Sequence, residues 1–174
     1  MSSDRDATLA CTLAILGPLP PGPAPDLGAG LSHPGAPPGD AIFDEVLLCA
    51  EVEAHLALEL AVVAPLHESL LGGILAALTV ARHDIVVAVE ARALPAAATL
   101  RRLAEHGSEA DVVLPRSTGS RGLTPGRYAR ACLRPLERAL REGRQEPSTV
   151  LRGLRLAEVD DEPAVRAPDG APQT

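Results

Sequence analysis

The chain has no lysine and no tryptophan, and only one tyrosine (Tyr128), one phenylalanine (Phe43) and one methionine among its 174 residues. All 16 basic residues are therefore arginines. A lysine-free chain excludes a phosphate-loop lysine, a Schiff-base lysine and a lysine general base. The scarcity of aromatic rings excludes stacking platforms for single-stranded nucleic acid and aromatic-rich binding surfaces. Cysteine is sparse too: Cys11, Cys49 and Cys132 lie far apart with no Cys-x-x-Cys spacing. That pattern reads as buried, reduced thiols, with neither a disulfide framework nor a zinc knuckle. The five histidines are scattered, with no paired spacing that a structural metal would need. No apolar run reaches the roughly 18 residues of a membrane span. Residues 7–17 are apolar, but Asp4 and Asp6 oppose the positive start of a signal peptide, so the segment reads as a buried strand of a cytoplasmic protein.

Apolar residues make up 46% of the chain, enough for one domain with its own core. The formal net charge of −7 argues against nucleic-acid binding. Charge is unevenly distributed. Residues 1–81 hold ten acidic side chains against Arg5 alone, whereas 116–155 hold ten arginines and three glutamates. An arginine-rich segment of this kind is either a solvated helix face or a local site for an anionic group.

Order along the chain alternates. Residues 8–16 form an apolar run, cut by Gly17-Pro18. Residues 17–40 then carry eight prolines and six glycines, a composition for an irregular, mobile loop. Strand patterns follow at 43–51 and 59–65, with a short turn or helix at 52–58 between them. A helix pattern spans 67–83, on Leu70, Leu71, Ile74, Leu75 and Leu78. The β-branched run 84–91 fits a central strand covered on both faces. Pro95 opens a helix over 96–107, and 110–115 is the next strand. Residues 116–127 read as a polar loop leading into a helix over 127–143, with Arg127, Arg130, Arg134, Arg138 and Arg141 on its solvent side and Pro135 kinking it or starting a second helix. A turn at 148–154, a short strand at 154–160 and a disordered polar tail at 161–174 complete the chain.

Strand and helix in alternation predict an α/β three-layer sandwich with a mainly parallel sheet, formed as a single domain over 1–160. Such sheets bind ligands beyond the carboxyl ends of their strands. Three features stand there. Gly72 and Gly73 near a helix start permit close approach to a nucleoside, or else serve tight helix–sheet packing. Glu90 ends the strand at 84–91 and offers a carboxylate for Mg²⁺ on a triphosphate, or a surface partner for Arg92. Arg116, Arg121 and Arg127 are candidate anion contacts in the loop that follows, where a solvated loop is the alternative.

From 43 to 160, about two thirds of the chain, the text resembles the molybdenum cofactor guanylyltransferase family, the MobA-like NTP transferases. The resemblance rests on Leu70-Leu71-Gly72-Gly73-Ile74, against the family's Gly-Pro-Leu-x-Gly-Ile/Leu segment. It also rests on Val89-Glu90-Ala91-Arg92-Ala93-Leu94, against a Cys-Asp-Met-Pro-Phe-Leu-like strand end, and on Thr124-Pro125-Gly126-Arg127-Tyr128. It implies a Rossmann-like nucleotidyltransferase fold and transfer of GMP from Mg·GTP to molybdopterin. It further implies nucleotide contacts at Gly72 and Gly73 and the metal at Glu90. The family's glycine-rich first loop and its lysine have no counterpart, since Leu16-Gly17-Pro18-Leu19-Pro20 stands there, and Glu90 replaces an aspartate. Prolines have no amide hydrogen with which to cradle phosphate. The expectation is thus a nucleotidyltransferase by resemblance with a degraded site, impaired or inactive. The alternatives are a non-catalytic interaction or cofactor-handling module for molybdoenzyme maturation and its factors, or a decayed gene product without a role.

Overall fold

A computed structural model describes residues 9–17, 43–49, 61–63, 69–107, 109–118 and 121–160. The expected turn or helix at 52–58, the Pro/Gly-rich stretch after Gly17 and the tail at 161–174 lie outside the described residues. Seven strands form one sheet: β1 (Leu9–Leu16), β2 (Phe43–Cys49), β3 (Ala61–Val63), β4 (Ile85–Glu90), β5 (Val112–Pro115), β6 (Gly126–Ala129) and β7 (Leu156–Val159). Their spatial order is β3-β2-β1-β4-β6-β5-β7. All pairings are parallel except those of β6, which runs antiparallel to both β4 and β5.

Among the described residues, helices α1 (Leu70–Val80), α2 (Ala97–Glu105) and α3 (Leu133–Arg141) flank the sheet, and the single turn α4 (Pro147–Val150) packs on α3. Side chains alternate across each strand, so β1 divides its apolar residues between two cores. Ala14 and Leu16 join Leu71, Ile74, Leu75 and Leu78 of α1 and Leu136 of α3 on one face. Cys11, Leu13 and Ile15 join Leu100 and Leu103 of α2 on the other. This is the α/β three-layer sandwich with a mainly parallel sheet. Helix α1 is buried from Leu71 to Leu78, as its nearly unbroken apolar sequence requires of a helix with no solvent stripe. Ser69 caps its start by accepting a hydrogen bond from the Gly72 amide (3.1 Å).

The sequence reading fails at 126–132. The loop and long helix expected there are instead strand β6, a 3-10 turn at Arg130–Cys132 and the shorter helix α3. Pro135 is the third residue of α3, where its missing amide costs no helical bond. Arg-Tyr-Ala-Arg-Ala suits a helix by propensity, but insertion between β4 and β5 satisfies two ladders and buries Tyr128 completely. Tertiary pairing overrides local preference. Gly126 is required at that point: a Cβ there would stand 2.9 Å from the Leu123 carbonyl oxygen and 2.9 Å from Leu114 Cδ2.

Two arginines leave the expected solvent face as a result. Arg130 turns back to the end of α1, where its guanidinium donates to the carbonyls of Leu78 (3.0 Å), Ala81 (2.6 Å) and His83 (2.9 Å). Arg127 sits between Val87 and Val113 on the α2 side and is only 7% exposed. Arg134, Arg138 and Arg141 remain exposed on α3.

Candidate functional site

The chain leaves β1 toward β2 on one side, then returns from β3 to place β4 on the other. The crevice beyond the carboxyl ends of β1 and β4 is thus a topological switch point, the usual ligand site of an open α/β sheet. Leu16 of β1 and Glu90 of β4 are register partners at that end. The Leu16 carbonyl accepts the Ala91 amide (2.9 Å), and the Gly17 amide donates to the Cys49 carbonyl (3.0 Å). Gly17 closes the strand with φ at 88°, a conformation that favours glycine.

Glu90 opens into a cavity of about 310 Å³. Its walls are Ser69, Leu70 and Leu71 at the start of α1, Arg121 to Thr124 before β6, Gln145 before α4 and Pro147 at its start. Cavities of this size hold small organic ligands. The Thr124 hydroxyl donates to Glu90 Oε1 at 2.5 Å. Its lining mixes apolar residues (Leu70, Leu71, Leu123, Pro147) with one carboxylate and the exposed Arg121.

The sequence-derived candidates separate into groups. Glu90 and Arg121 share this cavity. Gly72 and Gly73 stand one turn behind it, with the Gly72 amide bonded to the Ser69 hydroxyl and the Gly73 amide to the Ser69 carbonyl (3.0 Å). A Cβ at Gly73 would approach Leu16 Cδ2 to 3.2 Å, so this glycine sets how closely α1 packs on β1. Arg116 is engaged elsewhere, with Asp160 (2.7 Å) and Glu158 (3.7 Å) beside β7. Arg127 lies under α2, where burial pushes its guanidinium below its usual range, and its Nε and Nη1 find no acceptor among the described residues. Sequence reasoning does not single out Thr124, Ser69 or Gln145 as site residues. Ser69 preceding an apolar helical run is legible as a helix cap, but nothing local places Thr124 against Glu90, 34 residues away.

The chemistry open to the site is that of oxygen ligands and arginine. Burial pushes the thiols of Cys11, Cys49 and Cys132 up to about 12, which favours the protonated form of each. No group of three or more metal-ligating side chains occurs among the described residues. Mg²⁺ on a triphosphate does not need one, because it takes one or two carboxylates and completes its shell with phosphate oxygens and water. Glu90 fits that requirement. Its Oε1 is fixed by Thr124, and its Oε2 has no hydrogen-bond partner among the described residues. No described helix is long and apolar enough to cross a membrane.

No protein-family model matches the chain, and no curated protein matches it in sequence. Solved structures do. A protein from Aquifex aeolicus superposes with a TM-score of 0.65 at 18% identity, covering 87% of this chain and 86% of its own. Molybdopterin-guanine dinucleotide biosynthesis protein A from Archaeoglobus fulgidus superposes with a TM-score of 0.58 at 18% identity, covering 86% and 83%. The 2-C-methyl-D-erythritol 4-phosphate cytidylyltransferase from Thermus thermophilus gives 0.57 at 17% identity, covering 93% and 94%. Identities this low speak for the fold alone. The superpositions cover more than four fifths of each chain, and they show that this chain has the Rossmann-like nucleotidyltransferase fold.

Proposed function

We propose that the chain binds Mg·GTP in the crevice beyond β1 and β4, and that it transfers GMP to molybdopterin with a reduced rate. The observation that carries this reading is the position of Glu90. A lone carboxylate ends the strand at the switch point, next to the end of β1, and shares its cavity with Arg121. The fold likeness to the Archaeoglobus fulgidus protein supports the choice of nucleotide and acceptor.

Glu90 would hold Mg²⁺, which when bound offsets charge on the phosphates. Arg121 supplies the fixed positive charge that a lysine provides elsewhere, and its planar fork can grip two phosphate oxygens. Leu70, the one well-exposed apolar side chain of the lining, offers a contact for a planar ring. In the transfer, an acceptor phosphate oxygen attacks the α-phosphorus of GTP, the bond to the β-phosphate oxygen breaks, and pyrophosphate leaves. Catalysis of that step is mostly positioning and charge stabilisation. With no lysine and with Gly17-Pro18-Leu19-Pro20 in place of an amide-rich loop, both are incomplete. The rate is accordingly low.

That same substitution favours a second reading, in which the fold handles the cofactor or its precursor for a molybdoenzyme or its maturation factors without transferring GMP. A dye-monitored or circular-dichroism melt with GTP, CTP or ATP, each with and without Mg²⁺, tests the binding. Ligand at 100-fold its dissociation constant stabilises by about 2.7 kcal/mol, roughly 5–10 °C for a domain of this size. A Mg-dependent shift with GTP, lost in Glu90→Ala, is the expected result. No shift with any nucleotide at millimolar concentration overturns it. A shift without pyrophosphate release in the presence of molybdopterin selects the second reading.

A further inference from the structure

We propose that Thr124 is a positioning residue that holds the Glu90 carboxylate in the one rotamer able to receive a divalent cation. The inference rests on the reading of Glu90 as the cation-holding group and goes beyond it by assigning a role to a loop residue.

Glutamate has three side-chain torsions, and fixing them costs up to about 2 kcal/mol of rotamer entropy. At a strand end facing a cavity, nothing in Glu90 itself selects a direction. The Thr124 hydroxyl does, by donating to Oε1 at 2.5 Å. A hydroxyl has a single proton to donate, so this bond leaves Oε2 with both lone pairs for a cation. Thr124 is in turn held in place. Leu123 is buried (4% exposed), and its carbonyl accepts a hydrogen bond from the hydroxyl of Tyr128. Tyr128 is fixed in the centre of β6, and Gly126 between them has no room for a Cβ. The chain from Tyr128 through Leu123 to Thr124 therefore ties the carboxylate to the rigid sheet. A β-branched threonine adds its own restricted χ1, which a serine lacks. Groups that orient a metal ligand in this way typically change metal affinity by about 10- to 100-fold when removed.

The experiment measures Mn²⁺ binding in the presence of GTP, from the loss of the free Mn²⁺ electron paramagnetic resonance signal, with a circular-dichroism melt of every variant. Thr124→Val and Thr124→Ala should each weaken Mn·GTP binding by about 10-fold or more. Thr124→Ser should stay within about 3-fold of wild type, because it keeps the donor. A merely structural role predicts a lower melting temperature with unchanged Mn²⁺ affinity in Val and Ala, and that outcome overturns the proposal. Two failures are separable. Wild type that takes up no Mn²⁺ with GTP overturns the reading of Glu90 and the proposal with it. Wild type that binds, loses binding in Glu90→Ala and keeps it in Thr124→Val overturns the role of Thr124 alone.

Discussion

Replacing Arg130 should unlock the end of α1 from β6. The last carbonyls of a helix have no partners within it, and here one guanidinium serves Leu78, Ala81 and His83 together. Its Nε also meets Asp84 Oδ1 at 2.9 Å, and its own amide donates to the Asp84 carbonyl at 2.7 Å. A charge-assisted hydrogen bond contributes about 1.5–3 kcal/mol when buried, so three carbonyl bonds set an upper bound several times that. The side chain is 35% exposed, and water can take over part of the work on truncation, which lowers the expectation for Arg130→Ala to about 2–4 kcal/mol. The Asp84 carboxylate is 85% exposed and contributes under about 1 kcal/mol of this. At roughly 2–4 °C per kcal/mol, the melting temperature should fall by about 4–16 °C. Far-ultraviolet circular dichroism is the right probe, since a chain with one tyrosine and no tryptophan gives little fluorescence. Arg130→Lys should recover less than half of the loss, because an ammonium cannot span three carbonyls with a planar fork. Arg130→Ala within about 0.5 kcal/mol of wild type, or full recovery with lysine, would refute the clamp.

Gly126→Ala should destabilise by about 1–3 kcal/mol or more, read as an earlier urea midpoint, because its new Cβ meets the Leu123 carbonyl oxygen as well as the buried side chains of Leu114 and Tyr128. An unchanged midpoint would show that β6 can shift. Arg127→Met keeps the apolar stem and removes a buried cation without a partner among the described residues, so stability should hold or rise by about 1–3 kcal/mol in the same assay. A loss of more than about 1 kcal/mol would reveal a counter-charge outside those residues. Burial works to raise the Glu45 carboxyl, but the Thr12 hydroxyl (2.6 Å), the Arg82 amide (2.9 Å) and the Arg82 guanidinium (3.1 Å) together hold it below its ordinary 4.5. A lowered folded value means that this stability is fully present above about pH 4.5 and lost as pH falls further. Glu45→Gln should therefore flatten the acid limb of a stability-versus-pH curve, and an unchanged limb would contradict the assignment.

Much of the architecture is readable locally. Val86 to Val89 announce a central strand because a segment buried on both faces must be apolar throughout. Glu90 breaks that run, so the carboxyl end of the strand is legible as the point where the apolar core stops. Helix α1 declares itself by its leucines, although its start falls at Leu70 and not at 67, with Ser69 as the cap. Strand β6 does not, since four residues between two partner strands take their conformation from the ladder on each side. Missing β6 also misplaces Arg127 and Arg130, whose spacing of three residues suits a helix face but here belongs to a strand and the turn after it.

The chain's composition and order by themselves determine the alternation of layers, the carboxylate at the end of β4 and the exclusion of any lysine chemistry. These follow from period, propensity and inventory, which are properties of neighbouring residues or of the whole composition. Tertiary structure alone decided what each arginine does: Arg121 faces the cavity, Arg130 clamps a helix end, Arg116 joins acids beside β7, and Arg127 is buried. It alone brought Thr124 to Glu90. An arginine or threonine carries no local signal of its surroundings, because its partner lies tens of residues away and is delivered only when the sheet closes around β6.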